Sequence, residues 1–192
     1  MSSKFDYFSK EKADFLKKKD KSKKGHVDRD IINLLNAINS KKDYYTTSSC
    51  SGRIVLLEKL SKKKSDSKWL LNKHNKINFN EIIKNLKKSK IKHEIWFKQE
   101  PLILHVRCRY LDAAKKLLDA SRKIFKRAGI ISLSDKKIII EIIGSERIDA
   151  IIAYKNFIAD EKYSKNLIRY ANKNFDENKR KSERFLNVIK KI

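Results

Sequence analysis

The sequence predicts an α+β fold, with a mixed, antiparallel-leaning sheet flanked by helices and a long C-terminal helix. Three observations predict it. Helical and strand-like stretches alternate without the strand–helix–strand rhythm of a parallel sheet. Leu102, Leu104, Val106 and Cys108 alternate with Ile103, His105, Arg107 and Arg109, the period of a strand with one apolar face. From Tyr163 onward, Leu167, Tyr170, Phe175, Phe185 and Ile189 recur near a helical period, and the opposite face is rich in Lys, Arg and Asn. The glycines are Gly25, Gly52, Gly129 and Gly144, and they spell neither G-x-G-x-x-G nor a P-loop. This argues against a Rossmann-type nucleotide site.

Each element has its own signal. Phe5, Phe8, Phe15 and Leu16 are spaced for one face of a helix. The run Lys17–Lys24 reads as a basic loop able to follow a phosphate backbone. Asp28 is placed to cap a helix carrying Ile31, Leu34, Leu35 and Ile38. Ile54 to Leu57 reads as a buried strand, Lys62 to Lys68 as a polar loop and Lys68 to His74 as another strand. Asn78 caps a short helix with Phe79, Ile82, Ile83 and Leu86 inward. A strand from Ile95 to Gln99 stops at Glu100-Pro101, because proline has no N–H to give a ladder. On the next strand, a histidine flanked by two arginines favours a solvated polar face, since buried unpaired charge is costly. Leu111 to Arg127 reads as an amphipathic helix with Leu111, Ala114, Leu117, Leu118 and Phe125 inward and Gly129 as its C-cap. Ile138 to Ile143 is an apolar strand interrupted only by Glu141. Residues 145 to 160 carry no decisive pattern.

Size and charge narrow the class. The chain has 192 residues, 40% of them apolar, enough for one domain over residues 1–192. Cys50 and Cys108 make neither a metal pattern nor a disulfide framework. No apolar run is long enough to cross a bilayer and the N-terminus is charged, so a cytosolic, cytoplasmic monomer without metal or membrane is expected. Lys and Arg number 48 against 23 acids, a net charge of +25 that predicts a polyanionic partner, nucleic acid rather than an acidic membrane.

One stretch points to chemistry. Tyr44 to Arg53 gathers Thr46, Thr47, Ser48, Ser49, Cys50, Ser51, Gly52 and Arg53. Small hydroxyls suit a backbone that comes close to a polar ligand, Gly52 eases the turn, and Arg53 brings a planar fork for phosphate or carboxylate. The plainer reading is a Thr-rich β-hairpin. No H-E-x-x-H, C-x-x-C or G-x-S-x-G occurs, so zinc hydrolysis and the serine elbow lack support.

These residues carry a resemblance. The hydroxyl segment with Arg53, Gly25-His26-Val27-Asp28, Trp69 with His74, Glu100 to Arg109, and Glu177-Asn178-Lys179-Arg180 with Glu183-Arg184-Phe185 occur in this order. Together they resemble the tRNA wybutosine-synthesizing protein 3 family, called Taw3 in archaea, from about residue 4 to 187. The chain departs from the family pattern at Ile124, Ala128 and Ala150. The resemblance implies an S-adenosyl-L-methionine-dependent methyltransferase. The implied target is N4 of the 4-demethylwyosine derivative 3′ of the anticodon in tRNA-Phe. A bare domain with no fused partner suits an archaeal member.

On that reading Ser48, Ser49, Ser51 and the amides near Gly52 are expected to cradle the methionine carboxylate or a tRNA phosphate. Arg53 pairs with that anion. His105 is the expected base or base-edge contact, with Arg107 beside it. Trp69 or Tyr45 stacks on the extruded base, and Glu100 joins the binding set. These residues are expected to share one surface. The alternative is a non-catalytic RNA-binding module on the anticodon loop, which would bind no S-adenosylmethionine in calorimetry.

Overall fold

The computed structural model describes residues 6–17, 28–61 and 66–192. The lysine run at 18–24, Phe5, and residues 62–65 of the polar loop lie outside them. The chain divides into two compact units. The first comprises the described residues before Ser51, then Ile103–Ile143 and Lys181–Ile192; the second comprises Ser51–Leu102 and Gly144–Arg180. Instead of one mixed sheet there are two, and every strand pairing described is antiparallel.

In the first unit, β1 (Tyr44–Cys50), β5 (Ile103–Cys108), β7 (Lys137–Ile143) and β6 (Arg127–Ser134) form a four-stranded sheet in that spatial order. The register matches the apolar faces: Leu104 pairs with Ile142, Val106 with Ile140 and Cys108 with Ile138. All six are buried. Each such side chain contributes roughly 1.5–3 kcal/mol by leaving water. Helix α4 (Leu111–Arg122) packs against β5, β6 and β7, with Ala114 and Leu117 fully buried. The Tyr44 hydroxyl donates to the Ala113 carbonyl at 2.9 Å, so Tyr44 faces α4. Tyr45, one residue on, faces the other way and meets Phe8 and Phe15 of α1 (Tyr7–Leu16), with ring centroids 5.6 and 5.3 Å apart. Helix α2 (Ile32–Asn39) follows a single 3-10 turn, Arg29–Ile31, and buries Leu34, Leu35 and Ile38.

In the second unit, β3 (Ser67–Lys73), β2 (Arg53–Lys59), β4 (Glu94–Glu100), β8 (Ile148–Tyr154) and β9 (Phe157–Ile158) form a five-stranded sheet in that order. Ile54, Leu56, Ile95 and Phe97 join the core that Ile82 and Leu86 of α3 (Phe79–Lys87) share with Ile168, Ala171 and Phe175 of α5 (Glu161–Lys190). Asn78 and Glu81 form a reciprocal capping box at the start of α3, as the sequence anticipates. Residues 145–160 become the β8–β9 hairpin.

Several expectations are corrected. Asp28 takes the Ile31 N–H on its carbonyl at 3.2 Å, but its side chain makes no capping bond. Helix α4 stops at Arg122: the Phe125 N–H closes on Ser121 O at 2.8 Å, and the chain then pairs along β7, placing Gly129 opposite Glu141 in β6 rather than at a C-cap. Leu111 is 54% exposed because it opens α4 ahead of the packed turns, and Tyr170 of α5 is 54% exposed. The hydroxyl segment is not a hairpin, since β1 pairs with β5 and β2 with β3 and β4.

Candidate active site

In the first unit, β-pairing builds a row across three strands. Ser48 stands opposite His105, and His105 opposite Glu141. Directly paired residues point to the same face. His105 Nε2 lies 2.9 Å from the Glu141 carboxylate. With Nε2–H donating to that carboxylate, Nδ1 keeps a lone pair able to take a proton. Ser48 is exposed, and His105 and Glu141 are half-buried. Glu141 is absent from the residues expected for the site, yet its signal was visible: it is the one charge inside an apolar strand. Ser49 pairs with Leu104, and strand alternation turns it to the opposite face from Ser48.

Two expected contacts are structural. Tyr45 is 2% exposed, and burial followed by the nearby Glu11 charge pushes its hydroxyl up to about 12. It is a core ring, unavailable for stacking on a base. Arg107, expected on a solvated face, is 4% exposed. Its guanidinium donates to the carbonyls of Cys108 and of Lys136, pairs with Glu11 at 3.5 Å and lies 5.4 Å from the Phe8 ring. Helix α1 covers this part of the sheet, so the charge is buried with partners rather than solvated. Burial pushes the Cys108 thiol up to about 12, which removes it as a nucleophile.

The second unit holds the Gly52 turn. Gly52 has φ +102, and a Cβ there would meet Asn178 Nδ2 at 2.9 Å and Glu100 O at 3.0 Å. Asn178, 2% exposed, donates to Ser51 O at 2.6 Å and accepts from Leu102 N–H at 2.9 Å. Its amide thus ties the Ser51-Gly52 turn to Pro101-Leu102. Ser51 is itself buried, with its hydroxyl 3.4 Å from Gly52 O.

Beyond this turn opens a cavity of about 830 Å³ on the outer face of the five-stranded sheet. The register places Arg53 opposite Glu100, Val55 opposite Lys98, Leu57 opposite Trp96 and Lys59 opposite Glu94. Arg53 is ion-paired with Glu100 and stacks over the Trp69 ring, 4.6 Å from its centroid. Lys59 sits 3.8 Å over the Trp96 ring, whose N–H donates to Glu94 at 2.8 Å. Lys98 and Arg147 both pair with Asp149. Burial pushes the Asp149 carboxyl up, but hydrogen bonds from Arg147 and Lys98 and their charges outweigh it and hold the group below its usual range. The structure therefore groups Arg53, Glu100 and Trp69 with Lys59, Trp96, Lys98, Arg147 and Asp149. Among these, Trp96 stands out by residue type, on a strand whose sequence signal is its apolar core.

The sequence profile described as Methyltransferase TYW3 matches residues 10–191. This chain belongs to that family. A relative from Pyrococcus abyssi is 36% identical over 173 residues, covering 88% of this chain and 89% of that protein. It is named tRNA(Phe) 7-((3-amino-3-carboxypropyl)-4-demethylwyosine(37)-N(4))-methyltransferase 1. A Danio rerio relative, named tRNA wybutosine-synthesizing protein 3 homolog, is 34% identical over 94% of this chain and 73% of its own length. A solved structure from Pyrococcus horikoshii superposes with a TM-score of 0.85 at 35% identity, covering 95% of both chains. The methyltransferase class and the α+β fold without Rossmann order follow from this membership.

Proposed function

We propose that residues 1–192 act as one cytoplasmic methyltransferase domain. It uses S-adenosylmethionine to methylate N4 of the 4-demethylwyosine derivative in tRNA(Phe). The observation that carries this reading is the near full-length identity to relatives named for that reaction. Bound S-adenosylmethionine supplies an electrophilic methyl group on a sulfonium. The second unit fits that group, because Arg53 offers a guanidinium fork for a carboxylate and Trp69 an exposed ring for a purine.

The chain's own residues supply the rest. The target nitrogen loses a proton when it is alkylated, and in the first unit His105 Nδ1, with Nε2 held by Glu141, is a group able to take one. Glu141 fixes the ring orientation and stabilises the imidazolium. Ser48, on the same face, offers a hydroxyl to the substrate. Most of the acceleration comes from holding the nitrogen in line with the methyl group.

The test uses purified protein, labelled S-adenosylmethionine and phenylalanine tRNA from a strain lacking this modification step. Wild type should transfer label. His105→Ala should lower kcat about 10²–10⁴-fold, the range for general acid–base groups. Arg53→Ala should raise the apparent KM for the donor. Full rates in both variants would remove the assigned roles.

A further inference from the structure

We propose that β6 is the contact strand of a homodimer. Two copies pair it antiparallel about a two-fold axis through its middle and so join their four-stranded sheets edge to edge. Composition alone led to the expectation of a monomer. The surface lies wholly within the first unit.

The sheet edges are guarded unequally. An open edge offers unpaired N–H and C=O groups to any other strand, and folds blunt it with charge, shortness or a cover. Among the described residues, edge strand β3 carries Lys68 and Lys73, and β9 is two residues long. At β1 the Thr46 N–H donates to Asn39 Oδ1 of α2 at 2.8 Å. Strand β6 has none of these devices. It is eight residues long, and from Ala128 to Ser134 it holds neither a charge nor a proline, in a chain that is 37% charged. Ile130, Ile131 and Leu133 are 38, 51 and 63% exposed on it. A phosphate backbone finds no cation on this strip, whereas another strand finds backbone partners and apolar side chains.

A bulge selects the occupant. A strand pairs with its own copy about a two-fold only if the residues brought opposite one another point to the same face. In an unbroken eight-residue strand, residues equally far from the centre point to opposite faces. In β6 the extra residue Ile131 corrects this phase, because the register against β7 shifts between Ile130 and Ser132. Ala128 and Leu133 pair with Ile142 and Ile138, which are buried. Gly129 and Ser132 pair with Glu141 and Ile139, on the other face. Paired with its copy between Ile130 and Ile131, β6 therefore sets Ala128 against Leu133 and Gly129 against Ser132, like face with like. In each pair a small side chain meets a larger one. The next pair outward is Arg127 with Ser134. One step further, exposed Lys126 meets exposed Asp135, so unlike charges close both ends of the ladder.

Sedimentation equilibrium on the full chain, freed of RNA by nuclease, gives the dissociation constant of the dimer. Wild type should dimerise more tightly at about 1 M than at about 0.1 M salt, because salt screens the repulsion between two copies of +25 while the strand contact is neutral. Leu133→Lys, at an exposed position and with its fold checked by circular dichroism, should weaken the dimer about tenfold or more at high salt. Lys126→Asp and Asp135→Lys should each weaken it severalfold at low salt. The double reversal should restore it, which another register would not do. A wild type that stays monomeric at its highest soluble concentration overturns the proposal. So does a dimer lost in high salt, a dimer indifferent to Leu133→Lys, or a double reversal that binds no more tightly than the single ones.

Discussion

At the scale of single residues, the Gly52 turn is tightly constrained. A side chain there faces both a left-handed backbone and neighbours at 2.9 and 3.0 Å. Gly52→Ala should therefore destabilise by roughly 1–3 kcal/mol or more, the cost of a strained non-glycine conformer with added crowding. Asn178→Ala removes the partner of Ser51 O and of Leu102 N–H in a buried site. It should lose roughly 1–3 kcal/mol for each orphaned group. Urea unfolding midpoints measure both, and an Asn178→Ala midpoint equal to wild type would refute the clamp. Gly52 was readable from the sequence as a turn glycine. Asn178 was visible only as part of a family motif, because the two groups it joins are 76 and 127 positions away along the chain.

At the scale of elements, α1 is held to the first sheet by charge as well as by Phe8. Asp6 caps α1 through Ser9 and pairs with Arg109, whose guanidinium also lies 5.5 Å from the Phe8 ring. The hydrogen bond from Ser9, then that from Arg109, lowers Asp6 from 3.8 to about 2. A depressed carboxylate stabilises the fold above its unfolded value and loses that contribution as pH falls through its folded value. The stability difference between wild type and Asp6→Asn should thus be full above pH 4 and vanish toward pH 2, measured by unfolding across that range. A difference that is constant with pH would refute the ionic anchor. Elements whose own sequence holds both a start signal and a period were legible, α3 with its capping box and β5 with its alternation among them. The edge strand β6 was not. Its apolar Ile131 and Leu133 are exposed and so mark no buried face, and its pairing with β7 overrode the apparent continuation of α4.

At the scale of the whole molecule, the net charge of +25 makes a salt-dependent partner the expectation. The logarithm of the tRNA binding constant should fall with the logarithm of salt by about 0.7 for each phosphate contact to single-stranded RNA. Binding that ignores salt would remove the nucleic-acid reading.

Composition, period and motif were enough to establish the α+β class, most elements, the basic character and the family. Those properties are local or summed, so they survive in one dimension. Which side chains share a face was decided only by tertiary pairing. Register set Ser48 and His105 beside Glu141, and turned Arg53, Trp96 and Lys59 onto one surface. It also sank Tyr45 and Arg107 under α1. Burial and partnership depend on strands far apart along the chain, and no spacing within a single strand encodes them.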